Sequence, residues 1–122
     1  MTIRNFTDLD AWQKSREVTL LVYKITKSFP ADEKFALTVQ MRRAAISVIS
    51  NIAEGFGRST ARDKAHFYAS AKGSLLEVQS QAIIAEDLGY LASLQRKNLD
   101  EKITATARLI SGLINSAMDK GS

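Results

Sequence analysis

The chain of 122 residues has no cysteine, one proline, one histidine and one tryptophan. Without cysteine there can be no disulfide and no thiolate metal site, and a reducing cytoplasm suits the composition. The single histidine, His66, has no HExxH or Glu-x-x-His partner, so no metal centre is expected. A phosphate-cradling loop is missing as well, because Gly55-Phe56-Gly57 is only a pair of glycines at a helix end. No stretch approaches the roughly 18 continuous apolar residues of a membrane span. The opening residues MTIRNFTDLD carry no apolar run of the kind a secretory signal needs. Ser47, Ser70 and Ser74 have no histidine base at helical spacing, and nothing assembles a nucleophile, a base and an oxyanion site. The reading is a cytoplasmic non-enzyme with no catalytic residue, cofactor or small-molecule substrate.

With Pro30 as the only proline, long helices are free to run. The first is expected from a cap at Thr7 or Asp8 to about Ser28, where Phe29-Pro30 ends it. Its apolar face is Ala11, Val18, Leu21, Val22, Ile25 and Phe29. The second starts with Ala31-Asp32-Glu33 and ends near Gly55 and Gly57. The third, capped by Thr60 with Asp63 or by Ser59, runs to about Leu88, with Phe67, Ala71, Leu75, Val78, Ala82 and Ala85 as its core stripe. Gly73, in mid-helix, suggests close approach of another backbone. Gly89-Tyr90 closes that helix. Ser93 caps the fourth, whose face is Leu99, Ile103, Thr106, Ile110, Leu113 and Ala117. Four helices with short connections predict an all-α, up-down-up-down four-helix bundle, a single domain over residues 1–122 with frayed ends at about 1–6 and 119–122.

One bundle core needs one apolar stripe per helix, and several helices here carry more. Leu9, Trp12, Leu20 and Tyr23 form a second stripe on the first helix, and Leu76 and Ile83 stand apart from the core stripe of the third. Scattered surface apolars are ordinary, but this spacing is regular, and it points to a homo-oligomer interface. On the second helix Gln40, Arg43, Ser47, Asn51 and Glu54 make a narrow polar seam, read as structural, in which Arg43 can pair with Glu54 and Arg58 can cap the helix. Charge is clustered too. From Arg42 to Lys72 there are six bases and two acids, an excess of four that equals the net charge of the whole chain. Setting Arg43 and Arg58 aside leaves Arg42, Arg62, Lys64 and Lys72 as candidate phosphate contacts for RNA or DNA.

The order of certain residues resembles a known family. Phe6-x-Asp8-Leu9-x-x-Trp12, Tyr23-x-x-Thr26-x-x-Phe29-Pro30 and Leu37-Thr38-x-Gln40-x-Arg42-Arg43-Ala44-Ala45 carry the likeness. So do Asn51-Ile52-Ala53-Glu54-Gly55, Gly57-Arg58, Gly73-Ser74-x-x-Glu77 and Leu88-Gly89-Tyr90. Over about residues 6–117 the chain resembles the four-helix-bundle proteins named for open reading frames within intervening sequences of bacterial 23S ribosomal RNA genes. The resemblance implies a ring-like homopentamer with no established enzymatic activity. It is more distantly similar to the accessory variability protein of diversity-generating retroelements, a basic pentamer that works with a reverse transcriptase and nucleic acid. The family often has a proline before the Ser-Asn-Ile-Ala-Glu-Gly run, whereas Ser47-Val48-Ile49 lacks it, so no proline bend carries over.

Two functional readings follow. One is a homo-oligomeric accessory protein, a pentamer by the resemblance, that binds nucleic acid with little sequence preference. The other is a scaffold oligomer that presents a surface to a protein partner.

Overall fold

Pro30 and the glycines at 55, 57 and 89 divide the chain at the expected places, and four α-helices fill the intervals. The computed structural model describes the backbone of residues 2–121 and the side chains of residues 2–119. The helices are α1 (Asp10–Thr26), α2 (Leu37–Gly57), α3 (Ala61–Asp87) and α4 (Ser93–Gly121).

The N-terminus departs from the expected cap. Asn5, rather than Thr7 or Asp8, starts the first ordered turn, a 3-10 turn over Phe6–Asp8. Asn5 Oδ1 accepts from Thr7 N at 3.0 Å, and Asp8 Oδ2 accepts from the Arg4 and Asn5 amides at 3.0 and 3.1 Å. These reciprocal bonds hold the chain in a bend before α1. The bend packs the Phe6 ring 5.3 Å from Trp12 and buries Leu9 to 8% exposure. Leu9, placed on the outer stripe by the sequence reading, is therefore buried within the monomer, and Trp12 is partly buried against the core.

The second helix also starts late. Ala31–Glu33 forms only a 3-10 turn, and Ala36, at φ −122° and ψ −104°, separates it from α2. Glu33 has one tertiary and one local partner: Tyr90 Oη donates to it at 2.9 Å, and the Leu37 amide at 3.5 Å. The other boundaries follow local chemistry. Thr60 Oγ1 accepts from Asp63 N at 3.1 Å and caps α3. Gly89, at φ +81°, ends α3. Its amide donates to Glu86 O and the Tyr90 amide to Ala85 O, both at 2.9 Å, so two end carbonyls are satisfied. Ser93, the expected cap of α4, is instead its first residue and donates to Glu86. Gln95 Oε1 accepts from the Ala92 amide in front of it. At the C-terminus α4 runs through Gly121, while Met1 and Ser122 lie outside the described residues.

Cross-helix bonds set the direction of each pair. Thr26 meets Arg42 and Thr19 meets Ala45; Lys64 meets Phe56 and Ser74 meets Ser47. Glu86 meets Arg96 and Lys72 meets Ser111, while Lys102 meets Glu17. In α1/α2, α2/α3 and α3/α4 the numbers rise on one helix as they fall on the next, so these neighbours run antiparallel. The helices pack as α1–α2, α2–α3, α3–α4 and α4–α1, with the backbones of diagonal helices standing farther apart among the described residues. This is a four-helix bundle of the up-down-up-down kind.

The core lies along the shared axis, with Val18, Val22, Met41, Val48, Ile52, Leu75, Val78, Leu99 and Ile110 fully buried. On α3 it is Tyr68, 4% exposed, that enters the core, in place of the Phe67 of the sequence reading. The reason is Gly55. A β-carbon there would stand 2.7 Å from Tyr68 Cε1, so only glycine lets the Tyr68 ring lie against the last turns of α2. Phe67 sits at the edge under the Arg58 guanidinium, 4.5 Å from its ring centre. Within the chain Gly73 meets no other backbone: outside its own helix turn, nothing lies within 4 Å of its would-be β-carbon. Among the described residues no helix is long and apolar enough to cross a membrane.

Candidate interaction surfaces

The polar seam of α2 divides in two. Ser47 and Asn51 face α3. The Ser47 and Ser74 hydroxyls share a hydrogen bond of 2.7 Å, and Asn51 Nδ2 donates to Ser47 O at 2.8 Å and to Ser47 Oγ at 3.1 Å. This small network joins the two helices in one register. Gln40, Arg43 and Glu54 lie outside it, exposed. Arg43 does not reach Glu54, which is eleven residues away on the same helix, or about 16 Å at 1.5 Å per residue. Glu54 pairs instead with Arg58 at 3.3 Å, both largely exposed. Two turns along α3 from Ser74, Gln81 Oε1 is buried with no partner among the described residues.

Most of the basic segment is engaged within the chain. Arg42 lies 4.7 Å above the Tyr23 ring, and its Nε donates to Thr26 Oγ1 at 2.9 Å. Arg58 is the C-cap of α2, its amide donating to Gly55 O at 3.2 Å, and Lys64 Nζ adds a side-chain cap, donating to Phe56 O at 2.7 Å and Gly55 O at 3.4 Å. Lys72 Nζ donates to Ser111 Oγ at 2.9 Å across the α3–α4 face. Arg62, in the first turn of α3, is exposed and has no partner among the described residues. The sequence shows where the cations fall along the chain. It does not show that Lys64 reaches back across the turn, because that bond exists only once α3 has folded onto α2.

Several apolar side chains remain exposed, and two groups of them lie on the α1/α2 and α3/α4 sides. The Arg42–Tyr23 contact marks the α1/α2 side. Leu20, 61% exposed, and Ile46 lie one turn from it on that side. Leu76, 58% exposed, and Ile83 lie on the α3/α4 side, where Leu76 borders a groove of about 510 Å³. Because α1 and α3 are diagonal, these two sides are opposite faces of the bundle. This groove was not in the sequence reading. The period of α2 already places Ile46 off the core stripe, but a groove between helices has no local sequence signal.

Among the described residues no group of three or more histidine, cysteine, aspartate or glutamate side chains is placed to hold a metal ion. No curated protein matches the chain. A family model, that of the 23S rRNA-intervening sequence protein, matches residues 7–112. The match takes in the Ser47–Ser74–Asn51 network and the Gly55–Tyr68 contact, and the chain belongs to the 23S rRNA-intervening sequence protein family.

Proposed function

We propose that the protein is a non-enzymatic, self-assembling bundle of the cytoplasm, a homo-oligomer that closes into a ring of five. The observation that carries this reading is the pair of exposed apolar patches on opposite sides: Leu20, Tyr23 and Ile46 on one, Leu76 and Ile83 on the other. Patches of this kind mark interaction surfaces. Two unlike patches on opposite faces meet head to tail, and such contacts close into rings when the rotation between copies allows. The number five comes from the family resemblance. Light scattering on the purified protein tests the reading. The expected mass is about five times the 13.5 kDa protomer. Leu20→Glu dissociates the assembly while helical circular dichroism is retained. A monomer mass at micromolar concentration defeats the proposal.

A second reading, nucleic-acid binding, is supported by Arg62, which is exposed with no partner among the described residues. With Arg42, Lys64 and Lys72 all engaged inside the chain, one subunit offers few free phosphate contacts. A ring repeats Arg62 on every subunit, and multivalency then raises avidity. Without that binding, the same assembly is a scaffold that presents its surface to a protein partner.

A further inference from the structure

A cavity of about 350 Å³ opens between α1 and the start of α4, less open to solvent than the groove between α3 and α4. Leu21, Lys24, Ile25 and Ser28 line it from α1 and the turn after it, and Gln95 and Asn98 line it from α4. Leu21 and Ile25 give it an apolar wall, with Ile25 4% exposed. The polar lining is unbalanced. Lys24 and Asn98 have no partner among the described residues. Gln95 Oε1 accepts from the Ala92 amide at 2.9 Å, which leaves its Nε2 hydrogens to donate. Ser28 Oγ donates to Ile25 O at 3.0 Å. One cation and two side-chain amides with hydrogens to give therefore border the cavity, and no carboxylate is among its described lining residues. Farther along the same α1/α4 seam a lysine does have its acid, since Lys102 Nζ donates to Glu17 at 3.2 Å. At Lys24 a cavity takes the place of that acid.

We propose that this cavity binds a small amphipathic carboxylate. The ligand supplies the acid that the seam lacks at this level. Its carboxylate takes the Lys24 ammonium as counter-ion and accepts from the Gln95 and Asn98 amides, and hydrogen bonds to an ionised group are the strong kind. Its hydrocarbon body rests on Leu21 and Ile25, out of water. The volume is at the lower end of the range for small-molecule sites, about 300–1,000 Å³, which suits an acid with one ring or a short branched chain. The sign of the charge excludes a cation of the same shape. The cavity lies on the α1/α4 seam, which is neither of the two apolar sides assigned to self-assembly. The inference therefore goes beyond that reading and does not depend on it.

The test is a heteronuclear NMR titration of the full chain with 3-phenylpropionate, and with 3-phenylpropylamine as the cation of matching shape. The acid is expected to shift the backbone amides of residues 21–28 and 95–98 saturably, with a Kd of about 1 mM or tighter, and the amine to leave them in place. Lys24→Met removes the charge from an exposed side chain without disturbing the core, and it weakens binding of the acid by about tenfold or more. Lys24→Arg keeps the charge and retains most of the affinity. Lys27→Met is the control, because Lys27 is exposed one turn away and does not line the cavity; it leaves the titration unchanged. A Kd weaker than about 1 mM, an equal response to acid and amine, or shifts confined to other parts of the chain overturns the proposal. Lys24→Met binding the acid as tightly as wild type does so too, as does an equal loss with Lys27→Met. The mass by light scattering decides the ring separately, so the two readings fail independently.

Discussion

Replacing Gly55 with alanine tests the contact that brings Tyr68 into the core. In an ordinary helix, glycine to alanine stabilises by about 1 kcal/mol, because alanine restricts the unfolded chain and glycine does not. At position 55 the new β-carbon would lie 2.7 and 2.9 Å from Tyr68 Cε1 and Cδ1 and 3.1 Å from Phe67 Cβ. Carbon atoms in good contact are about 3.5–4.0 Å apart. Tyr68 is a rigid ring, 4% exposed, so relief has to come from displacing α3 relative to α2. Overpacking of this kind costs about 1–3 kcal/mol, which outweighs the helix gain over most of its range. The expected net loss is about 1 kcal/mol, or about 3–6 °C in melting temperature for a chain of this size.

Gly73→Ala and Gly112→Ala are the matched controls, because nothing lies within 4 Å of either added atom. Each is expected to raise the melting temperature by about the same few degrees, from the same helix propensity. Thermal unfolding followed by circular dichroism at one fixed protomer concentration reads all three, since assembly makes the midpoint concentration-dependent. A double-mutant cycle sharpens the test. In a Tyr68→Leu background the ring edge is gone, and Gly55→Ala becomes neutral or stabilising, a coupling of about 1–2 kcal/mol. If Gly55→Ala alone stabilises the protein as much as Gly73→Ala does, the steric argument is wrong.

The two halves of the α2 seam are expected to behave differently. Asn51→Leu removes the bonds to Ser47 O and Oγ and lowers stability by about 1 kcal/mol; Glu54→Ala breaks only an exposed pair and leaves the denaturation midpoint nearly unchanged. Burial raises the pKa of the Tyr68 phenol above its ordinary value of 10.0. The folded state then keeps a proton that the unfolded chain gives up. The contribution is present below pH 10 and is lost as pH rises through the folded pKa. Tyr68→Phe is accordingly expected to flatten the fall in stability above pH 10 in urea titrations, and a parallel decline in both proteins would refute that assignment. In anisotropy titrations with duplex DNA and structured RNA, any polyanion affinity is expected to fall linearly with salt on logarithmic axes. Arg62→Glu should weaken it at unchanged oligomer mass, and silence of the wild type at about 50 mM salt leaves the scaffold reading alone.

The helices and their number were legible in the residues themselves. Apolar spacing near 3.6, Thr60 before Asp63, Pro30 after Phe29 and Gly89 before Tyr90 act within a few residues, and local rules read them correctly. The face of α4 from Leu99 to Ala117 shows the same legibility, since one broad stripe can turn only one way. What sequence alone left open was every choice between neighbouring candidates that only a packed partner makes. Phe67 and Tyr68 are adjacent aromatics; which of them enters the core depends on the room that Gly55 leaves on another helix. Leu9 and Trp12 sit at the right spacing for an outer stripe, yet the bend capped by Asn5 buries Leu9 and partly buries Trp12. Arg43, Arg58 and Lys64 are equivalent as charges along a chain. Only after α3 folds back on α2 does Lys64 find the Phe56 carbonyl, leaving Arg58 for Glu54 and Phe67 and Arg43 exposed. Periodicity and capping act over one or two turns of chain, so the sequence determined the helices and the family. Burial, pairing of charges and the groove beside Leu76 depend on atoms brought together from distant positions, and those the tertiary structure decided.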